Sequence, residues 1–302
     1  MEKLKNLTVI IVTYNTSEKI ILDCLNSIDK DVKTLIIENS NNFEHKNKIL
    51  SEFQNVEILN TGSNLGMGSG NNYGLKHVKT DYALILNPDL TCEKGFFDNI
   101  SETIDSAKDF TIIGCQYLHD KVFMPAGFFD ERENDKFKNK FRNDNMDLLE
   151  KVDWVVGCSM LFNLKNFINR TIFDEKFFLF FEEFDLCKSV INSGGNIYTS
   201  KKLKIHHLGL KSSFGDDVEK IKSLNRLREW HWMWSSFYFY NKNYGYFFAL
   251  RKTLGKFLKS FVKLIYFSVT LNKTKKEKYL YRLLGSYNSI IGKKSNFRID
   301  KK

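Results

Sequence analysis

Residues Leu7 to Val12 form a continuous run dominated by β-branched side chains and ended by Thr13-Tyr14-Asn15. A run without polar/apolar alternation reads as a strand buried on both faces, the environment of a parallel sheet between helices. Val32 to Ile37, Val56 to Leu59 and Tyr82 to Leu86 follow the same pattern, separated by helix-like stretches from Ser17 to about Ile28 and near 43–53, 70–78 and 94–106. Ser17 stands where a helix cap belongs. Strand–helix alternation of this kind predicts a doubly wound, mainly parallel α/β sheet. Trp154 to Phe162 reads as a further strand, 180–192 as a helix, and Asn196 to His207 as a last strand ending in two histidines.

Sheets of this type bind ligands at the carboxyl ends of their strands. The residues there are Thr13, Asn15, Glu38, Asn39, Asn87 and Asp89, a short polar set suited to a nucleotide. Asn87-Pro88-Asp89 taken alone reads as a strand-ending turn. Joined by His206-His207 it gains the donors of an oxygen-rich site for Mg²⁺ or Mn²⁺. The segment Asn64 to Gly74 supplies glycines for close backbone approach and an amide-rich entry into a helix, as phosphate or sugar contacts require. Its glycine spacing is neither a dinucleotide fingerprint nor a P-loop. A loop that merely packs is the other reading.

Between Phe177 and Leu186 three carboxylates, Glu182, Glu183 and Asp185, emerge from a wall of aromatics. A carboxylate against apolar surface has its pKa raised, so it finds a cation or becomes a proton acceptor near neutral pH. At the start of a helix Glu182 and Asp185 share a face, while Glu183 points elsewhere. Helix-dipole stabilisation accounts for one acid there better than for three.

In order and spacing these motifs resemble the GT-A glycosyltransferases of family 2, in particular the bacterial rhamnosyltransferase-like branch, over roughly residues 7–215. The motifs are Val9 to Asn15, Asn64 to Gly74, Asn87-Pro88-Asp89, Gly157, Phe173-Asp174-Glu175 with Phe177-Phe178, Glu182 to Leu186, and His207-Leu208-Gly209 with Lys211-Ser212. The resemblance implies an inverting, metal-dependent transfer of a sugar from a nucleoside diphosphate, dTDP-rhamnose ahead of UDP-hexoses, onto a lipid-linked or oligosaccharide acceptor. It implies that Thr13, Asn15, Glu38, Asn64, Gly66, Asn71 and Asn87 bind the donor, and that Asp89 and His207 hold Mn²⁺ or Mg²⁺, with His206 as the register alternative. Glu183 falls at the general base, and Glu182, Asp185 and Trp154 would support it or meet the acceptor. The chain carries Glu38 and Glu183 where the family usually has Asp, and Asn87 at the first position of the D-x-D motif.

The formal net charge is +10, yet residues 201–302 hold 24 Lys/Arg against six Asp/Glu, so the rest of the chain is acidic. This basic excess predicts an anionic partner. From Tyr244 to Leu271 bulky apolar residues alternate with cations, and Lys252, Lys256, Lys259 and Lys263 form one helical stripe. Such a helix is expected to lie on an anionic membrane surface; a helix packed by its apolar side with a solvated basic face is the other reading. Arg226 to Trp234 gathers tryptophans and cations for an acceptor groove, a membrane interface or a packed helix face. No nucleic-acid module contains them, so no nucleic-acid partner is expected, although a nucleic-acid-binding protein and a non-catalytic nucleotide- or glycan-binding module stand as alternatives.

Five dispersed cysteines form no C-x-x-C pair and argue against a disulfide framework or a zinc site. The early strand leaves no signal peptide to expect, and no uncharged run nears the roughly 20 apolar residues of a membrane span. The expected organisation is a catalytic domain over 1–215 and a helical membrane- or acceptor-associated region over 216–302. The expected location is cytoplasmic, peripheral on the inner face of the membrane.

Overall fold

A computed structural model describes residues 2–117, 124–207 and 218–298. In chain order the elements are α1 (Glu2–Lys5), β1 (Leu7–Thr13), α2 (Glu18–Asn26), β2 (Lys33–Glu38), α3 (Lys46–Glu52), β3 (Val56–Asn60), α4 (Met67–Leu75), β4 (Tyr82–Leu86), β5 (Leu90–Cys92) and α5 (Phe96–Ser106). There follow β6 (Phe110–Tyr117), β7 (Ala126–Gly127), α6 (Glu131–Arg142), β8 (Leu149–Val152), β9 (Trp154–Val155), β10 (Ser159–Asn163), α7 (Glu182–Asn192), β11 (Asn196–His207), α8 (Val218–Tyr244), α9 (Tyr246–Val269) and α10 (Lys273–Ile290). They divide into two compact units, Met1–Phe173 with Leu186–Gly215, and Asp174–Asp185 with Asp216–Lys302.

The first unit is built on one sheet in the order β3-β2-β1-β4-β10-β6-β11-β5, with β8 also paired to β11. Strands β3, β2, β1 and β4 are parallel, and β6 and β11 are parallel to each other. Strand β10 runs antiparallel between β4 and β6, and β5 and β8 run antiparallel to β11. The mainly parallel α/β sheet is therefore present. All seven residues of β1 are buried, and its side chains alternate between two apolar layers as strand geometry demands. Val9 and Ile11 meet Ile21, Phe96 and Ile100 on one face. Ile10 and Val12 meet Leu75, Leu186 and Val190 on the other.

Three local expectations are corrected. Ser17 is extended at the head of α2 but its side chain makes no cap hydrogen bond; its carbonyl accepts from the Ile21 N–H instead. The single strand expected over 154–162 is two strands of different sheets, because β9 pairs with β7 while β10 enters the main sheet. The helix expected from residue 70 starts at Met67, behind Gly66 at φ 90°. Gly74 lets that helix press on the sheet, since a Cβ there would lie 2.7 Å from Ile10 Cγ2.

The second unit contains α8, α9 and α10. Leu227, Trp230, Met233, Trp234 and Phe237 of α8 are buried, and the Trp234 Nε1–H donates to the Lys293 carbonyl at 2.9 Å. The Arg226–Trp234 cluster is thus chiefly a packed helix face, and a groove or membrane role for its buried tryptophans is not supported. Helix α10 comes so close that a Cβ on Gly285 would overlap the Trp230 carbonyl. No helix of the described residues is long and apolar enough to cross a membrane.

Candidate active site

In the first unit the strand ends gather polar side chains in the positions expected from the sequence. Register sets Thr13 of β1 beside Glu38 of β2, and the Thr13 hydroxyl donates to Glu38 Oε2 at 2.6 Å. Glu38 is buried, and its Oε1 lacks a well-formed hydrogen bond. Burial raises its pKa, opposed by the hydroxyls of Ser40 and Thr13. Asn15 follows β1 in the left-handed region at φ 49°, which asparagine tolerates better than most residues.

Asn39 ties the glycine-containing loop to this edge. Its amide donates to the Gly66 carbonyl at 3.1 Å and to Asn64 Oδ1 at 3.3 Å, and its Oδ1 accepts from the Leu65 N–H at 3.0 Å. Asn64 Oδ1 also accepts from the Gly66 N–H, closing a turn that the positive φ of Gly66 permits. Asn71 is buried with its Oδ1 unpartnered. Asn72, its neighbour, is spent on structure, bonding the backbone of Ile172 and Phe173.

The Asn87-Pro88-Asp89 turn delivers a buried carboxylate to the edge where β5 meets the end of β11. His207 Nε2 lies 3.7 Å from Asp89 Oδ2. Successive strand residues face opposite ways, so His206 and His207 do not share this side. Among the described residues no group of three or more His, Cys, Asp and Glu could hold a metal ion. One oxygen and one nitrogen donor fit an ion that takes its remaining ligands from a diphosphate and water. Trp154 serves packing here: its ring covers Gly127 and its Nε1–H donates to the Phe128 carbonyl at 3.2 Å.

In the second unit the segment 174–185 is held by α8. Lys242 Nζ contacts Asp174 Oδ2 at 2.8 Å and Asp185 Oδ2 at 2.6 Å. The Tyr238 hydroxyl donates to Asp174, the Asn243 amide to Asp185 and the Ser235 hydroxyl to the Leu179 carbonyl. Phe178 lies against His231, and Phe181 against Trp232 and Phe239. Phe180 and Phe181 both take positive φ, 67° and 68°. Bulky residues persist in that region only where their surroundings fix them.

This strained entry opens α7 with three acids of different condition. Asp185 is neutralised by Lys242. Glu182 is buried, and its pKa is pushed well up by burial and then by the Glu183 charge. Glu183 is raised by burial to about 7. Oε2 of each glutamate is buried without a hydrogen-bond partner. A carboxylate with so elevated a pKa, next to a second one, is poised to exchange a proton near neutrality.

The Asn39 hub and the Lys242 clamp escaped sequence reasoning, although Asn39 stood among the strand-end residues. Lys242 gave no local signal, since its partners lie more than fifty residues away. Leu208, Gly209, Lys211 and Ser212 of the last motif lie outside the described residues.

Solved sugar-nucleotide transferases share this architecture. The mannosyltransferase PcManGT from Pyrobaculum calidifontis, in complex with GDP-Man and Mn²⁺, superposes with a TM-score of 0.52 at 11% identity, covering 94% of this chain and 87% of its own. The fold is that of the GT-A glycosyltransferases. Residues 8–166, more than half of the chain, match the family described as Glycosyl transferase family 2, and the chain belongs to it. Its curated relatives include the low-salt glycan biosynthesis hexosyltransferase Agl10 of Haloferax volcanii, 26% identical over 61% of this chain and 61% of that protein. The rhamnosyltransferase WbbL of Escherichia coli is 24% identical over 63% of this chain and 78% of its own length. The match thus spans about three fifths of Agl10.

Proposed function

We propose that this chain is an inverting glycosyltransferase that moves a sugar, rhamnose from dTDP-rhamnose in the first place and a hexose from UDP in the second, onto a lipid-linked or oligosaccharide acceptor in cell-surface polysaccharide synthesis. The observation that carries the reading is Glu183, a carboxylate raised to about 7 on a strained segment and backed by a second carboxylate. Glu183 takes the proton of the acceptor hydroxyl as that oxygen attacks the anomeric carbon. Glu182, its own pKa pushed well up by burial and by the Glu183 charge, stays neutral beside it, and Asp185, tied to Lys242, anchors the helix turn.

Thr13, Asn15 and Glu38 bind the base and ribose, and Asn64, Gly66, Asn71 and Asn87 line the donor. Asp89 and His207 would hold Mn²⁺ or Mg²⁺, which when bound offsets the charge of the departing nucleoside diphosphate. Membership of family 2 supports transfer from a nucleotide donor; the relative named a rhamnosyltransferase supports the ranking of sugars, and the relative solved with Mn²⁺ supports the ion. The basic excess of residues 201–302 supports a cytoplasmic enzyme peripheral on the anionic inner face of the membrane, away from nucleic acids.

The decisive measurement is donor hydrolysis across dTDP-, UDP- and GDP-sugars, with and without Mn²⁺, followed by acceptor screening with the best donor. Turnover of dTDP-rhamnose that requires the ion is the expected result. Nucleotide binding without turnover on any donor or acceptor would leave a binding module.

A further inference from the structure

Helix α9 is inverted relative to an ordinary surface helix. Ala249, Thr253 and Ser260 are its buried residues. The two hydroxyls are satisfied within the helix, Thr253 Oγ1 donating to the Ala249 carbonyl and Ser260 Oγ to the Lys256 carbonyl, both at 2.8 Å. Small side chains thus face inward. A row of large ones faces out: Phe247, Leu254, Leu258, Phe261, Ile265 and Val269 are each half exposed or more, Phe247 reaching 85%. Their spacing of seven, four, three, four and four residues keeps them on one face over 22 residues, about 33 Å of helix. An amphipathic helix in water turns such a stripe inward, and an exposed strip of this length marks an interaction surface.

At about 100° per residue the lysine stripe lies well round the helix from this ridge, next to the buried face. Lys263 Nζ sits 5.3 Å above the Tyr279 ring, and Lys256 is depressed by desolvation and by Arg282 of α10. Of the four stripe lysines Lys263 therefore leans on α10, and the position of the stripe round the helix revises the expectation that it forms the contacting face. Arg251, Lys252 and Lys259 are exposed along the same helix, and Lys273, Lys275 and Lys276 open the next.

Charge selects the occupant. A second copy would bring another strongly basic C-terminal region against this one. A nucleic acid would use the cations but gain nothing from an aliphatic ridge. A bilayer with anionic headgroups takes both, apolar side chains at the acyl boundary and cations at the phosphates. Resting on the membrane-peripheral reading above, we propose that α9 lies in the plane of an anionic bilayer with the Phe247–Val269 ridge inserted and Arg251, Lys273, Lys275 and Lys276 at the headgroups.

The test floats the full chain with vesicles of phosphatidylcholine alone, or with phosphatidylglycerol added, at physiological salt. Wild-type protein binds the anionic vesicles at least 10-fold more tightly than the neutral ones. Leu258→Ser, Phe261→Ser and Ile265→Ser combined abolish that binding while leaving the melting temperature and transfer to a water-soluble acceptor unchanged, because the replaced side chains are already exposed. Changing Lys252, Lys256, Lys259 and Lys263 to Gln weakens binding by less than the triple variant does. Wild-type protein that ignores anionic vesicles overturns the proposal, as does a triple variant that binds like wild type, or one that converts a wild-type dimer to a monomer. Absence of transfer in wild type with vesicle binding intact would instead count against the glycosyltransferase reading.

Discussion

The sheet unit and the helical unit hold their acids by different means. Glu38 and Asp89 sit where backbone register puts them, at the ends of paired strands, and their immediate partners, Thr13 and His207, belong to strands paired beside them. Glu182 and Glu183 sit on a helix start whose shape depends on side chains of α8, a helix that begins more than thirty residues later. A strand-end site is robust to change elsewhere because ladder hydrogen bonds fix it. A site held by packing answers to distant residues.

The strongest challenge to this contrast is Glu183→Gln, which keeps the shape and removes the proton acceptor. Transfer should fall roughly 10²- to 10⁴-fold in kcat with donor affinity largely kept; titration of donor binding beside single-turnover rates separates the two. Equal loss of binding would give Glu183 a structural role.

Asp89→Ala attacks the other side, and about 10²-fold weaker Mn²⁺-dependent donor binding is expected, measured by calorimetry with and without the ion. His207→Ala should act in the same direction less severely. If His206→Ala is the more damaging of the two histidine variants, the ligand is misassigned by one residue.

The helical side also predicts opposed pH trends. Glu183 is raised from the ordinary 4.5 to about 7, so between those values the folded state holds a proton that the unfolded chain releases. The stability this contributes is full below about pH 4.5 and lost as pH rises through 7, on the order of 3 kcal/mol. Activity should rise over the same window as the base form appears. Glu183→Gln should therefore melt higher than wild type at pH 8 and lose the advantage near pH 5, as calorimetric scans at the two pH values would reveal.

Lys242→Met sharpens the contrast most finely. It leaves Asp174 and Asp185 facing each other without their cation, and about a 10-fold lower kcat is expected, with the pH profile shifted to higher pH and partial recovery in Lys242→Arg. A drop in stability with an unmoved pH profile would make the clamp a scaffold only.

How much of this was legible follows from the range of the interactions. Strands β1, β2 and β4 announced themselves because strands covered on both faces need near-continuous apolar runs. Glu38, Asp89, His207 and the acid motif were visible as polar residues at strand ends or helix starts. The separation of β9 from β10 was not, because Val156-Gly157-Cys158 interrupts an apolar stretch with only one glycine. The inverted orientation of α9 was hidden because periodicity reveals two faces but not which one is buried. The roles of Asn39 and Lys242 lie in contacts whose partners are far along the chain, beyond the reach of local pattern.

The left-handed pair Phe180-Phe181 has a consequence for the order of synthesis. The residues that hold this segment in shape come later in the chain: Trp232, Tyr238 and Lys242, then Arg298, whose guanidinium stacks 3.5 Å over Phe178. His231, which supports Phe178, is itself bonded to the Phe297 carbonyl. The sheet can assemble while the chain is still emerging, since domains fold N-terminal parts first, whereas Glu182 and Glu183 have their geometry only once residue 298 is made. A nascent chain of this protein has its strand-end polar cluster before its acid motif takes shape.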